Sequence, residues 1–242
     1  MREISPVSIF DYEYNQQITG NNSLKEVNIN NYDLRLETYF KSGDNISVSV
    51  FYKDFKNFIE LQSAGLQSSW FNDSAKAWLK GIELEGKKRL TKFFEFRANV
   101  TFTDSRSIYQ TKKPQGGGIY TNGESITGPM FGQAPYVING ILSYNFDKIG
   151  LVATVSYNVQ GKRRVLNEGG NGIPDVYELP RNLLDMNVSK TLGKHFSIML
   201  RANDILNSPI RRAYNYSENS TIVYYDRYRY GTTYTFTIIY KL

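Results

Sequence analysis

The sequence predicts an all-β protein, an antiparallel transmembrane β-barrel segment of about ten strands. Three observations lead there. Apolar and polar residues alternate with a period of two along most of the chain, which places one kind on each face of a strand. Most of the alternating runs reach the ~9–11 residues that a tilted membrane strand needs, rather than the ~5–6 usual in soluble sheets. Short turns also alternate strictly with long connections, the pattern of barrels whose turns close one end and whose loops rise from the other.

The first run is Val7 to Gln16, followed by Val27 to Phe40 and Ile46 to Phe58, which meet across the turn KSGDN at 41–45. Trp78 to Lys87 and Phe93 to Asp104 meet at GKKRL (86–90). In the second of these, Phe94, Phe96, Ala98, Val100 and Phe102 oppose Glu95, Arg97, Asn99, Thr101 and Thr103. Tyr136 to Phe146 and Leu151 to Gln160 meet at DKIG (147–150), and Glu178 to Lys190 meets Phe196 to Asn203 at TLGK (191–194). The last run is Tyr228 to Leu242, with Tyr228, Tyr230, Thr232, Tyr234, Phe236, Ile238 and Tyr240 on one face. The long connections are 59–77, 105–135, 161–177 and 204–227. Aromatic residues gather near strand ends, as at Tyr39, Phe40, Phe93, Phe94, Tyr144, Phe146 and Tyr240, where a membrane interface favours them.

In a barrel the polar face lines the lumen and the apolar face meets lipid. The alternation assigns Arg35, Glu37, Glu83, Glu85 and Arg97 to the lumen, with Arg97 as the counter-charge to the two glutamates of the neighbouring strand. It assigns Ile138, Leu142, Val155, Tyr157, Phe236 and Ile238 to lipid.

Composition removes other classes. With no cysteine and a single histidine, His195, the chain has no thiolate chemistry and no multi-histidine metal centre. The most nearly apolar uncharged window, Ile149 to Gly161, is too short and too polar for a membrane helix. A net charge of +6 is spread over single Lys and Arg residues, its longest runs being Lys87 to Arg89 and Lys162 to Arg164, which argues against a nucleic-acid surface. The start, MREISPVSIFDYEYN, lacks the apolar stretch of an export signal. Glu83 and Glu85 share a strand face and could be imagined as an acid/base pair, but a polar lumen explains them better. His195 falls in a tight turn, and no Gly-x-Ser-x-Gly elbow accompanies it. The glycine runs at 116–118 and 169–172 lack the strand and helix of a phosphate loop and read as loop tips. No catalytic residue, metal or cofactor is therefore expected.

The terminal stretch RYGTTYTF (229–236) resembles the C-terminal signal that outer-membrane proteins present to the barrel assembly machinery: a polar residue, a glycine two later, then aromatics three and five after the glycine. Arg229, Gly231, Tyr234 and Phe236 fill those places, six residues inside the terminus, with Leu242 where many such proteins end in Phe. A wider resemblance rests on NNYDLRLE (30–37), SVSVFYK (47–53), KGIELE (80–85), GQAPYVIN (132–139), YNVQGKR (157–163), PRNLLDMNVSK (180–190) and NDILN (203–207). In order and spacing these are similar to the C-terminal part of a TonB-dependent outer-membrane receptor of the Bacteroidota type.

That resemblance implies a portion of a 22-stranded barrel, with 1–242 as its C-terminal segment and the plug, TonB box and signal peptide absent. It also implies a Gram-negative outer membrane, contacts with outer-membrane lipid, and a link to the TonB system through the missing plug. The implied cargo is a scarce ligand such as a siderophore, cobalamin, oligosaccharide or peptide, and no nucleic acid. The alternative is a secreted or surface β-sandwich that binds carbohydrate through Trp70, Trp78 and tyrosine-rich loops. With edges at Val7 to Gln16 and Tyr228 to Leu242, a curved, partly open sheet is expected in preference to a tight ten-stranded closure.

Overall fold

The structure, a computed structural model, describes residues 3–12, 16–64, 67–72, 76–116, 119–167, 174–215 and 222–241. Nine long strands form a wall: β1 (Asn28–Tyr39), β2 (Asn45–Lys56), β3 (Ala77–Arg89), β4 (Phe94–Gly116), β5 (Tyr136–Phe146), β6 (Leu151–Gln160), β7 (Arg181–Leu192), β8 (Phe196–Asn203) and β9 (Thr233–Tyr240). Each pairs antiparallel with the next, and the arm Ile119–Gly128 folds back on the far end of β4 as the tenth member of the sheet.

Register follows from burying like against like. One cross-strand row reads Leu36, Val48, Leu84, Val100, Ile138, Val159 over β1 to β6. The adjoining row, on the opposite face, reads Glu37, Ser47, Glu85, Asn99, Asn139, Asn158. A one-residue slip anywhere would interchange the two kinds of side chain, so the pattern itself holds the register.

The sheet is open. β1 and β9 are its edges, and among the described residues neither has a second neighbour in the sheet. Because the wall has nine strands, β1 and β9 run in the same direction, from the long-loop end to the short-turn end. A direct ladder between them would be parallel, whereas bacterial membrane barrels are antiparallel throughout. Antiparallel closure therefore takes an odd number of additional strands, and a second copy inserted the same way round cannot supply an antiparallel neighbour to either edge.

Three expectations change. The run Val7 to Gln16 is not a wall strand: Ser8–Asp11 pairs with Gln16–Thr19, which joins Gln67–Asn72 and Ile59–Ala64 in a separate four-stranded sheet. Its alternation changes phase where Ile9 and Phe10 are adjacent, which puts apolar side chains on both faces, and the strand pairs over only four positions. The last run is two strands. Tyr224–Tyr228 pairs with Ile210–Tyr214, and β9 begins only at Thr233, because Gly231 takes φ +86° and the Thr232 hydroxyl donates to the Asp204 carbonyl at 2.9 Å. The long connections are themselves β-structure, including a four-stranded sheet of Arg163–Leu166, Val176–Glu178, Ile210–Tyr214 and Tyr224–Tyr228.

Both buried apolar clusters lie at the loop end. Ile18, Leu61, Val165, Leu166 and Val176 form one, with Trp70, Phe131, Tyr214 and Tyr225 packed on it; Phe55, Ala77, Leu79 and Met130 form the other. The apolar face of the wall stays exposed, Leu36 at 70% and Ile238 at 60%. Exposed apolar area on that scale marks an interaction surface.

Gly81 sits where the chain cannot spare a Cβ, which would collide with the Phe51 ring and lie 2.5 Å from the Phe102 carbonyl oxygen. Gly81→Val is expected to lower stability by ~1–3 kcal/mol through overpacking. Gly86→Val, whose added Cβ meets nothing nearer than 4.0 Å, is the control in a urea unfolding titration.

Candidate functional site

The polar face of the wall carries a hydrogen-bonded ladder. Arg35 reaches over β2 and donates to Glu85 Oε2 at 2.6 Å, and more weakly to Glu37 Oε1 at 3.4 Å. The Ser47 hydroxyl donates to Glu85 at 3.2 Å, and the Asn99 amide donates to both Glu83 and Glu85. Asn139 donates to Asn99 at 3.4 Å, and Asn158 to Asn139. Arg35, Glu37, Glu83, Glu85 and Arg97 therefore share one face, but Arg97 is not the partner of the Glu83/Glu85 pair. The register sets it opposite Lys87, and it pairs with Glu95 at 2.6 Å, so Arg35 supplies the counter-charge to Glu85. Tyr39, Asn45, Glu85, Arg97, Asn99 and Asn139 line a shallow hollow of about 550 Å³ on this face.

Ile138, Leu142, Val155, Tyr157, Phe236 and Ile238 occupy the opposite face, where the register pairs Leu142 with Val155, Val155 with Met186, Tyr157 with Leu184, Phe236 with Leu200 and Ile238 with Ile198. Tyr157 keeps its hydroxyl satisfied by donating to Asn182 at 2.7 Å. Towards the loop end the same face carries Trp78, with Lys80 5.0 Å and Arg106 5.9 Å from its ring centroid. Trp70 instead packs edge-on against Phe131 beside the loop-end core. The two tryptophans thus form no common platform.

Of the four residues in the terminal motif, Tyr234 and Phe236 project from β9 on the apolar face, whereas Arg229 and Gly231 precede the strand. His195 lies in the β7–β8 turn with Nδ1 3.0 Å from the Lys241 carbonyl oxygen and its ring against Tyr240. Gly117, Gly118 and the run at 169–172 fall outside the described residues.

Sequence reasoning missed a buried ionic hub that ties the long connections together. Glu60, Ser107, Tyr109 and Arg164 are fully buried, and Asn167 nearly so. Arg164 Nη2 donates to Glu60 Oε2 at 2.9 Å and Oε1 at 3.2 Å, and lies 3.1 Å from the Ser107 hydroxyl. Ser107 donates to Glu60 at 2.7 Å, as do the Phe131 backbone N–H at 3.2 Å and the Asn167 amide. The Arg164 guanidinium stacks over the Tyr109 ring at 4.4 Å, and the Tyr109 hydroxyl donates to Asp175 at 2.7 Å. Burial alone would lower the Arg164 pKa, but Glu60 and Asp175 hold it above its ordinary value. Burial likewise pushes the Tyr177 phenol up, and that of Tyr225 to about 12. A carboxylate inside the otherwise apolar run around Glu60 and the adjacent pair Arg163–Arg164 are the signals that could have pointed to the hub.

A family model described as "TonB dependent receptor-like, beta-barrel" matches residues 5–205. No curated protein matches the sequence. Among solved structures, the fold is similar to a mutant of the ferric enterobactin receptor PfeA of Pseudomonas aeruginosa, with 16% identity, TM-score 0.59, and 93% of this chain and 33% of that one covered. It is also similar to the siderophore receptor PiuA of Acinetobacter baumannii (14% identity, TM-score 0.59, 88% and 28% covered). The ferric yersiniabactin uptake receptor FyuA of Yersinia pestis gives 17% identity, TM-score 0.57, and 89% and 30% covered. The chain spans about one third of the length of these receptors.

Proposed function

This chain belongs to the TonB-dependent receptor β-barrel family, and on that premise we propose that it supplies wall, loops and assembly signal to an outer-membrane receptor for active uptake of a scarce ligand. Members of the family are transporters, not enzymes. The observation that carries the reading is the pair of adjoining rows over β1 to β6, one wholly apolar and one wholly polar, with no second sheet paired face to face with either among the described residues. A β-sandwich would bury its apolar face against a partner sheet. Here that face is left for hydrocarbon, and the polar ladder from Arg35 to Asn158 is left for a water-filled lumen or a plug within it.

Ferric siderophores lead the cargo candidates because the similar structures are siderophore receptors; cobalamin, oligosaccharide and peptide follow. A Gram-negative host, of Bacteroidota type, is part of the same proposal. Deleting the gene is expected to abolish growth on one limiting ligand from this set, and inactivating the TonB system to have the same effect. Unchanged growth on every ligand in both strains would refute the reading.

The terminal motif belongs to the same proposal. β9 offers a free backbone edge for strand addition by the assembly machinery, with Tyr234 and Phe236 on its lipid side. Gly231 at φ +86° lets the chain turn into that strand, a conformation costly for a β-branched residue. Gly231→Val and Phe236→Ala are expected to lower the amount of receptor in the outer membrane several-fold while leaving ligand affinity of the inserted fraction unchanged. Surface labelling of intact cells measures this, and normal levels of both variants would exclude the role.

A further inference from the structure

The loop-end sheet of Arg163–Leu166, Val176–Glu178, Ile210–Tyr214 and Tyr224–Tyr228 treats its charges differently on its two faces. On the core side, one row across the four strands reads Arg163, Glu178, Arg212, Asp226. Every charge there is matched: Arg163 lies 3.0 Å from Glu178, and Arg212 2.8 Å from Asp226 and 3.7 Å from Glu178.

On the other face, Arg211 stands directly opposite Arg227 on the neighbouring strand. Leu179, one strand over, donates its backbone N–H to the Arg211 carbonyl. Lys162 crosses the Tyr177 ring at 4.3 Å and donates to Asn215 Oδ1 at 3.1 Å, which sets a third cation on the same face. Asp175 is the one carboxylate among the described residues of this face, and it is engaged by Tyr109 and Arg164.

Like charges directly opposite one another on adjacent strands destabilise a sheet, so this arrangement calls for a counter-charge. The fold holds the two arginines in place rather than letting them diverge. Arg211 Nη2 donates to the Pro180 carbonyl at 2.9 Å and its Nε is buried, which fixes the side chain, and Arg227 lies 5.8 Å from the centroid of the Tyr224 ring. Arg227, Tyr224 and Lys162 are exposed, so the Arg227 guanidinium and the Lys162 ammonium face solvent beside Arg211.

We propose that Arg211 and Arg227, flanked by Lys162 and Tyr224, form a binding site for a small solute bearing two or more oxyanion groups of carboxylate or phosphate type. Guanidinium forks suit such groups because each presents paired N–H donors to paired oxygens. As a statement about cargo this rests on the receptor reading above, and it selects the anionic members of that ligand set. As a binding site it stands independently.

The test is calorimetry on the intact receptor in detergent, with citrate and pyrophosphate as probes and maltopentaose as the neutral control, for wild type, Arg227→Lys and Arg227→Glu. The polyanions are expected to bind wild type and Arg227→Lys, and to weaken about tenfold or more in Arg227→Glu and on raising salt from about 0.05 to 0.3 M. Maltopentaose should give no heat. An unchanged melting temperature in Arg227→Glu separates loss of binding from loss of fold, as the exposed side chain leads one to expect. Absence of polyanion binding to wild type, or equal binding by Arg227→Glu, would overturn the site. Polyanion binding by a protein that fractionates outside the outer membrane would retain the site and refute the receptor reading instead.

Discussion

Glu60→Ala is expected to destabilise the loop end by about 3–5 kcal/mol, because it leaves Arg164 fully buried without its principal counter-charge. The loss also strips acceptors from the Ser107 hydroxyl, the Asn167 amide and the Phe131 N–H, each of which now bonds to Glu60. Arg164→Met should be comparably harmful, since it strands the carboxylate instead. The double replacement Glu60→Leu with Arg164→Met removes both charges and is expected to recover much of the loss, as buried ion pairs exchanged whole for apolar side chains often do. Amide hydrogen exchange at 59–64 and 163–166 reports the effect locally: both segments should lose protection in each single variant and regain it in the double. Protection unchanged in the single variants would show that the hub does not hold the connections together.

The second large effect concerns the wall. Val155 and Ser156 are neighbours on β6, one facing Leu142 and Met186 on the apolar side, the other beside Asp185 on the polar side. If the apolar side meets hydrocarbon, Val155→Arg costs ~2–4 kcal/mol in a bilayer, whereas Ser156→Arg places its charge in an aqueous lumen and is mild. Folding titrations into liposomes read both, and equal sensitivity would contradict the assignment of faces.

The wall was legible in the sequence because its information is local. Alternation of period two in stretches such as Leu151 to Gln160 sets strand, face and register together, and KSGDN and DKIG mark the turns. The two ends of the chain were less legible for a physical reason. At Gly231 a single left-handed residue divides an unbroken run of alternating side chains, and alternation by itself does not report φ. The partner of Arg97 depended on register, which sets it across from Lys87 rather than Glu85, and register is a property of two strands together. Least legible was the hub. Glu60 and Arg164 are more than a hundred residues apart, and the local signals at each do not name the other as its partner until the long connections fold together and take water away from both.

This chain has no cysteine, so once any cysteine elsewhere in the receptor is replaced by serine, each one introduced here is the only one to carry a label. Single cysteines placed in turn from Val152 to Val159 in the intact receptor, spin-labelled and reconstituted into liposomes, can be probed with oxygen as the apolar relaxant and a nickel chelate as the polar one. Alternation with a period of two is expected, in which 153, 155, 157 and 159 are accessible to oxygen and 152, 154, 156 and 158 to the chelate. A uniform profile, or alternation with the opposite phase, would contradict the claim that this sheet is a membrane wall with its apolar face in lipid.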